Sequence, residues 1–250
     1  MMLIVLKNQS SIDHVDQAYM PLISVVVNML IKILEDNLLE IRLLGSVPRG
    51  CAIRELSDID FMAITKFDIS QESKLLLENI LLDLSEANTI VSKIDVQCIR
   101  EDIIKNYFDL ELIIKTDSIN LYGEDKYTVS EYSIMNTELA DLWNPNIDFV
   151  LHNYRNKLMS INMSDTEIAK YSRLTGKDVM KCFQRRVVLE HGFIERTIEK
   201  IYINLKKYIP DHSGTFEKLW RLYRLPTSNK EVIMTVIDEC EQLKYEILNG

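Results

Sequence analysis

Leu44-Gly45-Ser46-Val47-Pro48-Arg49-Gly50 and, shortly after it, Ser57-Asp58-Ile59-Asp60-Phe61 decide how this chain is read. The apolar run 39–44 stops at Gly45-Ser46, and a second apolar run, 59–65, has two carboxylates one residue apart at its head. On a strand, residues i and i+2 share a face, so Asp58 and Asp60 are expected to point the same way. Two acids held side by side repel unless a cation lies between them, and carboxylate oxygens are the donors that Mg2+ takes. Glycine lets the backbone approach an anion closely, and free N–H groups with a serine hydroxyl can hold phosphate oxygens. The stretch therefore predicts an anion holder at Gly45 and Ser46 and a metal holder at Asp58 and Asp60.

Working outward, apolar residues at helical spacing (Ile23, Val26, Val27, Leu30, Ile31, Leu34) predict a helix over 15–34. The strand over 39–44 places Glu40 and Arg42 on one face and Ile41 and Leu43 on the other. A Leu-rich helix is expected over 71–87, with Leu75, Leu76, Leu77, Ile80, Leu81 and Leu84 as its apolar face. Residues 91–99 alternate as a strand, with Ile94, Val96 and Cys98 on one side and Asp95 and Gln97 on the other. If this strand neighbours 59–65, Asp95 joins Asp58 and Asp60 as a third carboxylate. Such a set suits one or two Mg2+ ions clamping an in-line phosphoryl or nucleotidyl transfer.

A helix over 100–115 and a short strand over 119–125, ending in a turn, complete this half. Beyond Ser130 the pattern predicts helices only, over 148–159, 176–189, 195–208, 216–223 and 230–247, with capping-box spacing at Ser164 and Glu167. Strands alternating with helices followed by a helical block place a boundary near residue 130. The expected fold class is an α/β (α+β) domain with a mixed sheet over 1–130, then an all-α helical-bundle domain over 131–250.

The formal net charge of −9 makes the chain a poor general binder of nucleic acid, because phosphate affinity comes largely from Lys and Arg. Cys51, Cys98, Cys182 and Cys240 are widely spread, with no CxxC pair and no zinc spacing, so reduced and mostly buried thiols are expected. His14, His152 and His212 make no metal spacing with one another or with a cysteine. The start lacks the basic region and cleavage site of a signal peptide. The greasy stretch 21–34 is interrupted by Asn28 and Lys32 and is shorter than the roughly 20 apolar residues of a membrane span. The expectation is a soluble, cytoplasmic protein without a membrane partner.

Gly45-Ser46-x-x-Arg49-Gly50 followed by Ser57-Asp58-Ile59-Asp60 resembles the signature of the DNA polymerase beta-like nucleotidyltransferase superfamily, including its minimal members and the aminoglycoside and lincosamide nucleotidyltransferases. The resemblance covers roughly residues 20–125. It implies a mixed α/β sheet with Gly45 and Ser46 on the nucleotide phosphates, Asp58 and Asp60 on Mg2+, and Asp95 as third carboxylate and metal ligand or, with one metal, as base. Residues 119–124 also resemble the Leu-Tyr-Gly turn that often closes this domain. Cys51 departs from the small residue or threonine of many relatives, away from the metal site. Arg49 can pair with a phosphate or brace its loop by a salt bridge. The implied reaction transfers a nucleoside monophosphate from an NTP, ATP first, to an acceptor and releases pyrophosphate.

In the helical half, Lys177, Lys181 and Arg185 recur at i, i+4 and i+8, opposite Val179, Met180, Phe183 and Val187. This is either a solvated face or a stripe that meets triphosphate, as basic residues of the second domain do in several relatives, with Lys181 as the preferred contact. Arg186 and His191 have the Arg-x4-His spacing of nucleic-acid-cleaving helical domains, but Val187 departs from that pattern, and two such residues five apart arise readily by chance. For the acceptor, a small hydroxylated compound of the aminoglycoside kind suits the negative charge. A protein or tRNA end is the alternative, as is a non-catalytic, antitoxin-type binding module on the same fold; long nucleic acid is disfavoured.

Overall fold

The N-terminal apolar runs become the strands of one sheet in the computed structural model, which describes residues 1–249. The chain opens with strand β1 (Leu3–Lys7) and helix α1 (Met20–Leu34), then runs through β2 (Leu38–Leu44), β3 (Ile59–Thr65), α2 (Gln71–Ala87) and β4 (Ile94–Arg100). Helices α3 (Glu101–Asn106) and α4 (Phe108–Thr116) lead to β5 (Ser118–Gly123) and β6 (Glu131–Met135). The sheet has the order β4-β3-β2-β5. Its β2 is antiparallel to both β3 and β5, whereas β3 and β4 are parallel.

Alternation along the strands splits the sheet's side chains between two cores. Ile41, Leu43, Ile59, Phe61 and Ala63 join Leu22, Val26 and Leu30 of α1 and Leu77 of α2. Leu44, Met62 and Ile64 join Ile104 of α3, Ile114 of α4 and Tyr127. Helical structure from Gln17 to Asn37 makes a run long and apolar enough to cross a membrane by length and composition, which corrects the shorter span read from the sequence. A core helix passes the same test, and Leu22, Ile23, Val26, Leu30 and Leu34 are buried here. The helix proper begins at Met20, later than expected, because Ser11 and Asp16 side chains cap two short 3-10 turns ahead of it.

Of the six apolar residues assigned to one face of α2, only Leu77 is buried, with Leu75 and Leu76 exposed. At 3.6 residues per turn, Leu77, Ile80, Leu81 and Leu84 share an arc, whereas Leu75 lies on the opposite side. The helix expected over 100–115 is two helices, separated by the extended backbone of Tyr107.

Glu40 and Arg42 lie on one side of β2 as the alternation requires, yet they are 1% and 0% exposed. Arg42 donates to Glu40 at 2.9 Å, Asp125 at 3.0 Å, Thr128 Oγ1 at 2.8 Å and Ser118 Oγ at 2.8 Å. The Lys126 N–H donates to Glu40 as well, at 3.3 Å. This network ties the segment after β5 back onto β2.

Two units are present, one comprising Val5–Tyr132 and the other Met1–Ile4 with the chain from Ser133 onward. The division falls within β1 and β6, which pair as a two-stranded ribbon. Strand β6 corrects the expectation of helices only beyond Ser130. Five residues are too few for a clear alternation, and the pairing partner lies at the far end of the sequence.

The second unit is otherwise helical: α5 (Asn136–Trp143), α6 (Ile147–Leu158), α7 (Asp165–His191), α8 (Ile198–Tyr208), α9 (Ser213–Arg224) and α10 (Lys230–Asn249). The other five helices all pack against α7. It starts before residue 176 because Ser164 and Glu167 form the reciprocal capping box. A Cβ at Gly176 would lie 2.4 Å from the Leu219 carbonyl, so glycine permits α9 to cross α7 at close range. The architecture is thus a mixed α/β sheet domain followed by an all-α bundle.

Candidate active site

Where β2 ends, β3, β4 and β5 begin. Leu44 pairs with Asp60 on one side and Ser118 on the other, and Asp60 pairs with Asp95 across the parallel ladder. Paired residues share a face, so Asp60 and Asp95 stand side by side at this edge. Asp58 lies just before β3. The Ser92 N–H donates to the Ser57 carbonyl at 3.0 Å and the Ile59 N–H to the Lys93 carbonyl at 3.0 Å, so parallel pairing continues past Asp58. Asp58 is exposed, while Asp60 and Asp95 are half-buried.

Gly45 follows directly from β2 with φ +80, and a Cβ there would lie 2.5 Å from Asp60 Oδ2. Glycine is demanded twice, by the left-handed backbone and by the carboxylate against it. Gly45→Ala is expected to destabilise the protein by about 1–2 kcal/mol and to push the Asp60 carboxylate aside. Thermal unfolding together with nucleotide titration checks both effects. A variant indistinguishable from the wild type would mean that Gly45 and Asp60 do not meet.

The loop beyond Gly45 is a closed turn. Gly50 N–H donates to the Val47 carbonyl at 3.1 Å and Cys51 N–H to the Ser46 carbonyl at 3.1 Å. Cys51 Sγ also reaches the Ser46 carbonyl, at 3.6 Å. Arg49 Nη1 contacts both Asp117 oxygens, at 2.7 and 2.6 Å. Burial disfavours the guanidinium, but the Asp117 charge and hydrogen bond outweigh it and keep Arg49 charged. Of the two readings of Arg49, the one this geometry supports is a brace between the loop and the start of β5.

Lys93 Nζ contacts both oxygens of Asp95, at 2.7 and 2.8 Å. Among the described residues, no group of three or more His, Cys, Asp or Glu is gathered so that it could hold a metal ion. The three expected carboxylates occupy neighbouring strand positions without converging, and Asp95 is turned onto Lys93. Their hard oxygen donors and accessible positions nevertheless fit Mg2+ in kind.

Lys177, Lys181 and Arg185 lie half-buried along one side of α7 in the helical unit, where Arg185 pairs with Asp141 at 2.6 Å. Arg186 donates to Glu190 at 2.8 Å and to the Ile247 carbonyl at 3.3 Å, while the His191 ring lies 4.2 Å from that of Tyr208. These partners give Arg186 and His191 structural work within the bundle.

Sequence reasoning overlooked Lys93, Asp117 and the Arg42 network. The i, i+2 spacing could have found Lys93, which stands two residues ahead of Asp95 just before β4. Nothing local marks Asp117, whose partner Arg49 is 68 residues away.

No protein-family model and no curated protein sequence matches the chain. Among solved structures, the fold is similar to that of the spectinomycin adenyltransferase AAD(9) from Enterococcus faecialis, determined with ATP and spectinomycin. The TM-score is 0.59 at 13% sequence identity, over 90% of this chain and 99% of that one. At this identity the likeness is one of fold.

Proposed function

We propose that the chain is an Mg2+-dependent nucleotidyltransferase that transfers a nucleoside monophosphate, from ATP first of all, to a hydroxyl of a small acceptor of the aminoglycoside kind. The observation that carries this reading is the placement of Asp60 against Gly45 and beside Asp95 at one end of the sheet. The fold similarity to an adenyltransferase solved with ATP and spectinomycin supports it.

In this reading residues 1–130 are the catalytic domain and 131–250 the acceptor-side domain. Gly45 and Ser46 hold the triphosphate through backbone N–H groups and the serine hydroxyl, with Arg49 fixing their loop. Asp58, Asp60 and Asp95 would hold one or two Mg2+ ions, which supply charge neutralisation on the phosphate oxygens. The acceptor hydroxyl oxygen forms a bond to the α-phosphorus as the bond to the leaving pyrophosphate breaks. Its proton goes to a carboxylate, and Asp95 is the candidate base in a one-metal version. Lys177, Lys181 and Arg185 are assigned to the nucleotide, so Lys181→Ala should raise the NTP KM or lower kcat; unchanged kinetics would remove the stripe from the site. A cytoplasmic setting is supported by four free cysteines. Burial pushes the Cys98 thiol up to about 11 and that of Cys240 to about 12, so neither is a ready thiolate.

The test is incubation of the purified protein with each labelled NTP, Mg2+ with or without chelator, and a panel of aminoglycosides, lincosamides, tRNA and proteins. Chelator-sensitive labelling of a small acceptor with release of pyrophosphate is the expected result. Label on tRNA or protein would transfer the assignment to that acceptor. No transfer and no NTP binding would overturn the enzyme reading in favour of a non-catalytic binding module.

A further inference from the structure

The position of Lys93 goes beyond that reading while resting on it. Lys93 lies just before β4, two residues ahead of Asp95, and its Nζ contacts both oxygens of that carboxylate. The Ile59 N–H to Lys93 carbonyl bond carries the parallel ladder one residue back, so the Lys93 backbone lies beside Asp58 just as Asp95 lies beside Asp60. A lysine thus takes the fourth corner of a square whose other corners are acids. The neighbouring arginines are committed elsewhere, Arg49 to Asp117 at 2.6 Å and Arg54 to Asp16 at 2.6 Å.

We infer that Lys93 is a built-in counter-ion of the acidic edge, holding Asp95 in the nucleotide-free protein and competing with a divalent cation for that carboxylate. The exposure of the pair decides between this role and a structural brace. The side chains are 62% and 45% exposed, and an exposed pair of this kind is weak and exchangeable. A buried bridge such as Arg49–Asp117 would hold its geometry, whereas this one can open. Opening releases a flexible ammonium beside the place where the proposed triphosphate lies, and phosphate oxygens offer it a replacement anion. The arrangement therefore disfavours a bare cation and favours a cation arriving with a nucleotide.

The experiment is direct titration of the nucleotide-free protein with Mn2+ as probe, followed by electron paramagnetic resonance. Lys93→Gln is expected to tighten Mn2+ binding roughly two- to fivefold, the range of an exposed ion pair, while Lys93→Arg stays at the wild-type affinity. Lys66→Gln, at the opposite end of β3, is expected to change nothing and so separates local pairing from net charge. Asp60→Asn and Asp95→Asn run alongside. If they weaken Mn2+ binding while Lys93→Gln leaves it unchanged, the counter-ion role is overturned and the proposed site stands. If neither weakens it, the metal does not bind at this edge, and both the site and the role of Lys93 fall.

Discussion

Asp60→Asn is expected to abolish Mg2+-dependent nucleotide turnover, with a loss on the order of 10³-fold, while leaving the fold intact. The side chain is central to the edge: it lies against Gly45 and opposite both Leu44 and Asp95. Replacing one oxygen by an amide keeps the shape and removes the charge that a phosphate-bound cation requires, a loss of electrostatic stabilisation of the kind that costs roughly 10²- to 10³-fold per preorganised group. Asp60 is half-buried and precedes a strand interior that carries the packing, so the unfolding temperature should shift little. Asp58→Asn is expected to act in the same direction. Steady-state turnover with each NTP and Mg2+, beside a thermal melt, is the measurement. Turnover at wild-type level in either variant would show that the metal assignment is wrong.

The largest loss of stability is expected at Arg42→Met. Its guanidinium is fully buried and serves Glu40, Asp125, Thr128 and Ser118 at once. Removing it leaves Glu40, itself 1% exposed, as a buried carboxylate without its cation. Breaking a buried pair from one side costs about 3–5 kcal/mol, which for a protein of this size lowers Tm by about 10 °C or more. Glu40→Leu added to Arg42→Met should recover part of the loss, since the penalty lies in the stranded charge. A double variant no better than the single one would place the cost elsewhere in the network.

Acid should weaken the same network. Burial works against the Asp125 carboxylate, but its hydrogen bonds with Thr128 and Arg42 outweigh it and hold its pKa below 3.8. A carboxylate depressed by folding contributes stability that is complete above its unfolded value and is lost as pH falls through the folded one. Asp125→Asn should therefore flatten the acid limb of the stability–pH curve below about pH 4.

The strands at the site were readable because their signals are local. An apolar run that ends at Gly45, and one that begins behind Asp58 and Asp60, mark strand ends without knowledge of their neighbours. The alternation of Ile94, Asp95, Val96 and Gln97 assigned Asp95 to a face before its partner strand was known. Strands β1 and β6 were not readable in this way, being short and related only through pairing across the length of the chain. The exposed Leu75 and the interrupted helix at Tyr107 show the other limit. An apolar composition reveals that a helix exists, but the wheel position and the packing surface decide which residues it buries.

By itself the sequence determined the order of elements from α1 to β5, apart from the break at Tyr107, together with the glycine at the end of β2 and the acids at the heads of β3 and β4. These follow from side-chain periodicity and backbone sterics, which act over a few residues. Only the tertiary structure decided what the distant charges face: Arg49 on Asp117, and Arg42 buried among Glu40, Asp125, Thr128 and Ser118. Electrostatic partners are chosen by proximity in space and by the burial that sets their strength. Both depend on strand register and sheet order, which bring residues as distant in sequence as Arg42 and Thr128 into contact.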